Sequence, residues 1–172
     1  NNVLHIPDTV PAGTVISVEV QSVFDETKKV SVSTEILTSK NLELTRVTAA
    51  AVYNNTTFQV DLTEFVADMQ GATLISASVD GKAFTSANYE NGILTLDTVT
   101  LAGLGAKTVS ASFKATGSMI SVTIPIDVCT FAIGTETDLN TMPSVIVANG
   151  GDGRYILTSD ITCVGTYDSN SS

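Results

Sequence analysis

The sequence has no tryptophan, a single histidine, two cysteines, and charged residues at only 15% of its positions. Each shortage removes a class of function. A Ser-His-Asp or Cys-His arrangement needs a positioned base. The one histidine, His5, lies in an N-terminal stretch expected to be an edge or a linker, so catalysis at His5 is not expected. Eight Lys and Arg stand against 18 Asp and Glu, for a net charge of −10, and the basic residues form no cluster. Such a surface repels phosphate backbones, which argues against a nucleic-acid partner. No apolar run approaches the ~20 residues of a membrane helix, so membrane insertion is not expected either.

Nucleotide and metal signatures are missing as well. No G-x-x-x-x-G-K, G-x-G-x-x-G, H-E-x-x-H or C-x-x-C occurs. Cys129 and Cys163 are far in sequence from His5, which leaves no set of ligands for zinc. Whether the two cysteines bridge each other stays open; a bridge would add about 3–4 kcal/mol by loop entropy. Gly150-Gly151-Asp152-Gly153 lacks the ligand spacing of a calcium loop and reads as a glycine-rich turn. Glycoside hydrolysis needs only two carboxylates beside a sugar cleft, but aromatic residues make up only 6% of the chain. The expectation is no enzyme, with no catalytic, cofactor-binding or metal-ligating residue, and no cofactor.

What is abundant is threonine, valine and serine, the β-branched and small polar types that suit a pleated, half-buried surface. They alternate. Residues 14–20, 29–36, 93–96, 107–113 and 120–126 each place apolar side chains at every second position, the period of antiparallel strands with one wet face. Asp80-Gly81 and Asn91-Gly92 are tight hairpin signals, and Asp25-Glu26-Thr27 is a turn between two strands. Helix is scarce. Residues 61–70 place Leu62, Phe65, Val66 and Met69 on one helical face, with Asp61 and Glu64 as a capping box and Gly71 as a stop. A shorter helical turn is expected over 136–142, capped by Thr135 and halted by Pro143.

Two stretches resemble known families. Val79-Asp80-Gly81-Lys82 through Leu94, Leu104-Gly105, Val109 and Ile124-Pro125-Ile126-Asp127-Val128 resemble the immunoglobulin-like modules strung along bacterial surface proteins. Gly153-Arg154-Tyr155-Ile156-Leu157-Thr158-Ser159-Asp160-Ile161 looks like the entry strand of a parallel β-helix-type, repeat-built domain, with Thr137-Asp138-Leu139-Asn140 as its helical lead-in. The resemblance implies a surface stalk or adhesin context and names no catalytic residue. Some surface immunoglobulin-like domains carry lysine isopeptide crosslinks. Lys107 and Lys114 lie in strands here, but the sequence identifies no partner for either, and none is expected.

The resulting expectation is an all-β chain of tandem immunoglobulin-like antiparallel β-sandwiches: residues 1–70, residues 71–134, then a linker and the first strand of a truncated C-terminal β domain over 135–172. A single sandwich of about 130 residues is the rival, which periodicity does not separate. The expected role is a non-catalytic structural spacer or adhesion module of a secreted or cell-surface bacterial protein, located outside the cell. The alternative is a carbohydrate-binding module in which Tyr53, Tyr89, Tyr155 and Tyr167 stack on sugar rings. The partners this context implies are a host or plant glycan, or another surface protein.

Overall fold

A computed structural model describes residues 3–53, 57–84, 86–98, 101 and 103–164. Their order is β1 (Val15–Gln21), β2 (Lys29–Glu35), β3 (Thr38–Glu43), β4 (Thr48–Ala51), β5 (Thr57–Asp61), a 3-10 turn (Thr63–Phe65), β6 (Thr73–Val79), β7 (Lys82–Ala83), β8 (Ala87–Glu90), β9 (Ile93–Asp97), β10 (Gly105–Ala115), β11 (Ser118–Cys129), β12 (Phe131–Ile133), α1 (Glu136–Ala148) and β13 (Tyr155–Leu157). The fold is mostly β, in several sheets, as the composition implies.

The tight turns form where the sequence asks for them. Asp80 and Gly81, and Asn91 and Gly92, all take positive φ, the conformation of a two-residue turn that matches strand twist. Each joins its neighbours into a hairpin, β6 to β7 and β8 to β9.

The larger sheet runs β3-β11-β10-β6-β7, and β4 also pairs with β11. A three-stranded sheet, β5-β9-β8, faces it. Phe58, Val60, Leu94 and Leu96 from the small sheet share one buried cluster with Val109, Ala111, Phe113, Val122, Ile124 and Val128 from the large one. This is a sandwich-like core, with alternate residues of each strand turned inward.

The expected division at residues 70 and 71 is corrected by these pairings. β3 and β4 lie before it and bond to β11, which lies after it; β5 likewise bonds to β9. Strands from both sides close a single core, so residues 1–70 and 71–134 are not separate sandwiches. Each half alternates correctly, but alternation carries no information about which strand is the neighbour.

β11 is flanked on both sides along its length, yet it contains Pro125, which lacks an N–H. Gly117, Thr123 and Cys129 accept bonds at their carbonyls from Thr38, Leu44 and Val52. By alternation, Pro125 therefore also turns its backbone nitrogen toward β3 and β4. The pairing is broken at that point: β3 ends opposite Thr123, and β4 begins opposite Ile126. The proline sits where no carbonyl waits for a donor.

The helical expectations are partly corrected. Over 61–70 only Thr63–Phe65 is helical, as a 3-10 turn. Asp61 belongs to β5, and its carboxylate accepts from the Thr63 N–H and hydroxyl instead of capping an α-helix. Leu62 and Met69 are nevertheless buried. The second helix does not halt at Pro143 but continues to Ala148. Its capping box is complete between Thr135 and Asp138, and Val145, fully buried beyond the proline, anchors the far turn.

The proline argument yields a test. Pro125→Ala should cost only about 0.4–1 kcal/mol, through the freer unfolded chain. Thr123→Pro removes a donor that faces β3 and should cost about 3 kcal/mol or more. Urea denaturation of both variants measures the contrast; equal costs would contradict the placement of the break.

Candidate functional site

Of the four tyrosines proposed for sugar stacking, the three described ones, Tyr53, Tyr89 and Tyr155, do not form a platform. Tyr89 packs edge-on against Phe113, with ring centroids 4.9 Å apart, and its hydroxyl donates to Met69 Sδ at 3.9 Å. Burial pushes its pKa up. Tyr53 stands edge-on to Phe131 at 6.1 Å. Tyr155 has its hydroxyl oxygen buried without a hydrogen-bond partner, and a Cβ on Gly153 would lie 2.7 Å from that oxygen. Gly153 thus admits the ring by close approach, and the glycine-rich segment serves packing there. Tyr167 lies outside the described residues.

A concavity lies where the edge of β6 meets the edge of β8. It has a cavity volume of about 370 Å³ and is lined by Thr73, Leu74, Ser76, Phe84, Asn88 and Tyr89. Among the described residues no carboxylate, imidazole or amine lines it, so these residues offer no group for acid–base chemistry near neutral pH. Among the described residues, no three His, Cys, Asp or Glu side chains group to hold a metal ion, and no helix is long and apolar enough to cross a membrane.

The charged residues hold elements together. Lys107, with its side chain mostly buried, lies 3.7 Å from Asp80, and Lys114 lies 3.3 Å from Glu35. Lys40 bonds to Asp68. Arg154 grips Asp127 with two bonds, Nε to Oδ1 at 2.9 Å and Nη2 to Oδ2 at 2.5 Å. The Thr130 N–H donates to the Arg154 carbonyl at 2.8 Å, and the Arg154 N–H donates back to Thr130 Oγ1 at 3.0 Å. These contacts tie β13, which pairs in parallel with β12, to the end of β11. Asp25, Asp61 and Asp138 are each held below the usual carboxylate range, chiefly by a threonine hydroxyl two or three residues away. They are turn and cap residues.

Sequence reasoning read β1 and β2 correctly as strands but not as a free-standing ribbon. Among the described residues they pair only with each other, over seven positions from Val15↔Glu35 to Gln21↔Lys29. One face carries Ile16, Val18, Val20, Val30 and Val32. The other carries Ser17 and Ser33, bonded oxygen to oxygen at 2.8 Å, and Glu19 with Lys29 at 2.9 Å. Val20, Val30 and Val32 are each more than 60% exposed, and Phe24 near the tip is 97% exposed. The base is fastened to the sandwich. Gly13 approaches Gly117, and the Gly117 N–H donates to Glu35 at 3.1 Å. The amphipathic alternation was visible in the sequence; that no second sheet covers it was not.

Compared with protein-family models, curated proteins and solved structures, the chain matches none.

Cys129 is buried and Cys163 exposed, both as free thiols. Burial first, and the nearby Asp127 second, push the Cys129 thiol up, which lowers its thiolate fraction and reactivity. A disulfide-exchange reagent should therefore titrate about one thiol per native chain, Cys163, and the second only after denaturation. Fast labelling of both in the native state would contradict the burial of Cys129.

Proposed function

We infer that this chain is a non-catalytic spacer or adhesion module, immunoglobulin-like in architecture, of a secreted or surface-exposed bacterial protein. The architecture is supported by strand order. β11, β10, β6 and β7 lie side by side as G, F, C and C′ do in an immunoglobulin variable-type sheet, and β5, β9 and β8 follow B, E and D. This reading involves one sandwich, carried by residues 38–129.

A single observation carries the spacer role. β3 and β4 run parallel to β11, from Thr38↔Ser118 to Ala51↔Cys129. The chain therefore enters the sandwich at one end of its longest strand and leaves it at the other. Twelve residues at ~3.3 Å each separate entry from exit by roughly 40 Å. A domain that holds its ends apart projects its neighbours along the chain away from each other, whereas one with adjacent ends is suited to insertion into another fold. The packing of Tyr53 and Tyr89 against phenylalanines, and a groove whose described lining holds no carboxylate, imidazole or amine, are consistent with a role that involves no chemistry.

The test is a thermal-shift and affinity-gel screen against soluble plant and host polysaccharides, with and without calcium. A spacer shows no retardation and no change in Tm. Stabilisation by one polymer, through preferential binding to the folded state, would replace this reading with the carbohydrate-binding one.

A further inference from the structure

The ribbon and the sandwich differ in how they meet a pull on the chain ends, and that difference comes from strand direction alone. In the ribbon, β1 and β2 are antiparallel and joined at the far tip. Gly13 donates to the Ile36 carbonyl at 2.7 Å, and Ile36 donates back to Thr14 at 2.9 Å. The two points through which tension passes, residues 13 and 36, are thus neighbours at the base. Tension there loads the first pair, and the next pair only after it parts.

In the sandwich, tension enters at Thr38 and leaves at Cys129, along strands that run parallel. Six paired positions of β3 and four of β4 then slide against β11 together, and none carries the load alone. The two elements also differ in what holds them. β11 contributes six buried side chains spaced along its length, from Ile120 to Cys129. The ribbon buries none of its residues, and a two-stranded hairpin by itself is marginally stable in water. Its base is fastened by the bond from the Gly117 N–H to the Glu35 carboxylate and by the Lys114–Glu35 pair, half-exposed at the lysine and partly buried at the glutamate, a pair worth on the order of 1 kcal/mol.

We propose that the β1–β2 ribbon is an extensible element in series with the sandwich, opening reversibly under low tension while the parallel β3/β4–β11 seam keeps the sandwich closed. This rests on the spacer reading and adds to it a mechanical response: a tether that lengthens before its folded body is threatened. Opening residues 15–35 replaces one cross-strand spacing by about 20 extended residue spacings, a gain of about 60–65 Å.

Force spectroscopy with handles on the two ends of the full chain tests this. The expected trace has an early, low-force, reversible lengthening of about 60–65 Å, followed at clearly higher force by opening of the sandwich. The decisive variant is Ser17→Cys with Ser33→Cys, in a Cys163→Ser background, because those two positions face each other across the ribbon. Oxidation should cut the early lengthening to roughly 15 Å and leave the later force unchanged; reduction should restore it. A second handle pair, Ser39→Cys with Thr116→Cys, peels β3 from β11 starting at one end and should open the sandwich at markedly lower force. An early lengthening that survives the crosslink, or a sandwich that opens before the ribbon, would overturn the proposal. Either failure leaves the polysaccharide screen, and with it the spacer reading, untouched.

Discussion

The structure depends on one strand being paired on both sides. β11 takes β10 as an antiparallel neighbour over eleven positions and β3 with β4 as parallel neighbours on its other edge. Ile120, Val122, Ile124, Ile126 and Val128, all inward and essentially without solvent contact, supply the apolar row around which the core closes. At roughly 1.5–3 kcal/mol for each such side chain removed from water, this strand contributes more burial than any other element. The break between β3 and β4 lets the strand include Pro125, on the face opposite that row, without a lost hydrogen bond.

The remaining elements are arranged by their distance from this strand. β10 carries β6 into the large sheet, and β5-β9-β8 covers the face that β11 and β10 make apolar. Beyond the end of β11, the Asp127–Arg154 grip and the Thr130 bonds dock β13 beside β12. Beyond its start, Gly117 receives the base of the ribbon. The chain's two accessory units thus attach at opposite ends of one strand, which is the geometry of something held between two points.

Local features were legible in the sequence because they arise from local chemistry. Asp80-Gly81 and Asn91-Gly92 specify their turns, the alternation over 107–113 and 120–126 specifies long strands, and Thr135 specifies where α1 starts. Partnership was not legible. Nothing in Thr38–Glu43 announces that it lies parallel to a strand some eighty residues away, and so a boundary was read at residue 70 where the core is continuous. The helix expected over 61–70 failed for a related reason: its apolar spacing is real, but Leu62 and Met69 meet the sandwich from a strand end and a turn. The candidate site suffered most. Tyr53 and Tyr89 were the alternative reading's stacking residues, yet each is held edge-on by a phenylalanine that only the tertiary fold brings near.

The central claim is that residues before and after position 70 build one core through β11. Expressing residues 71–134 alone tests it most directly, since that segment keeps β6 through β12 but loses β3, β4 and β5. The account predicts a fragment without a cooperative urea transition and with poorly dispersed amide resonances, because Ile120 through Cys129 would lose their parallel neighbours and the small sheet would lose an edge. A fragment that unfolds sharply, with a dispersed spectrum, would mean that the second half is a domain of its own and would contradict the account.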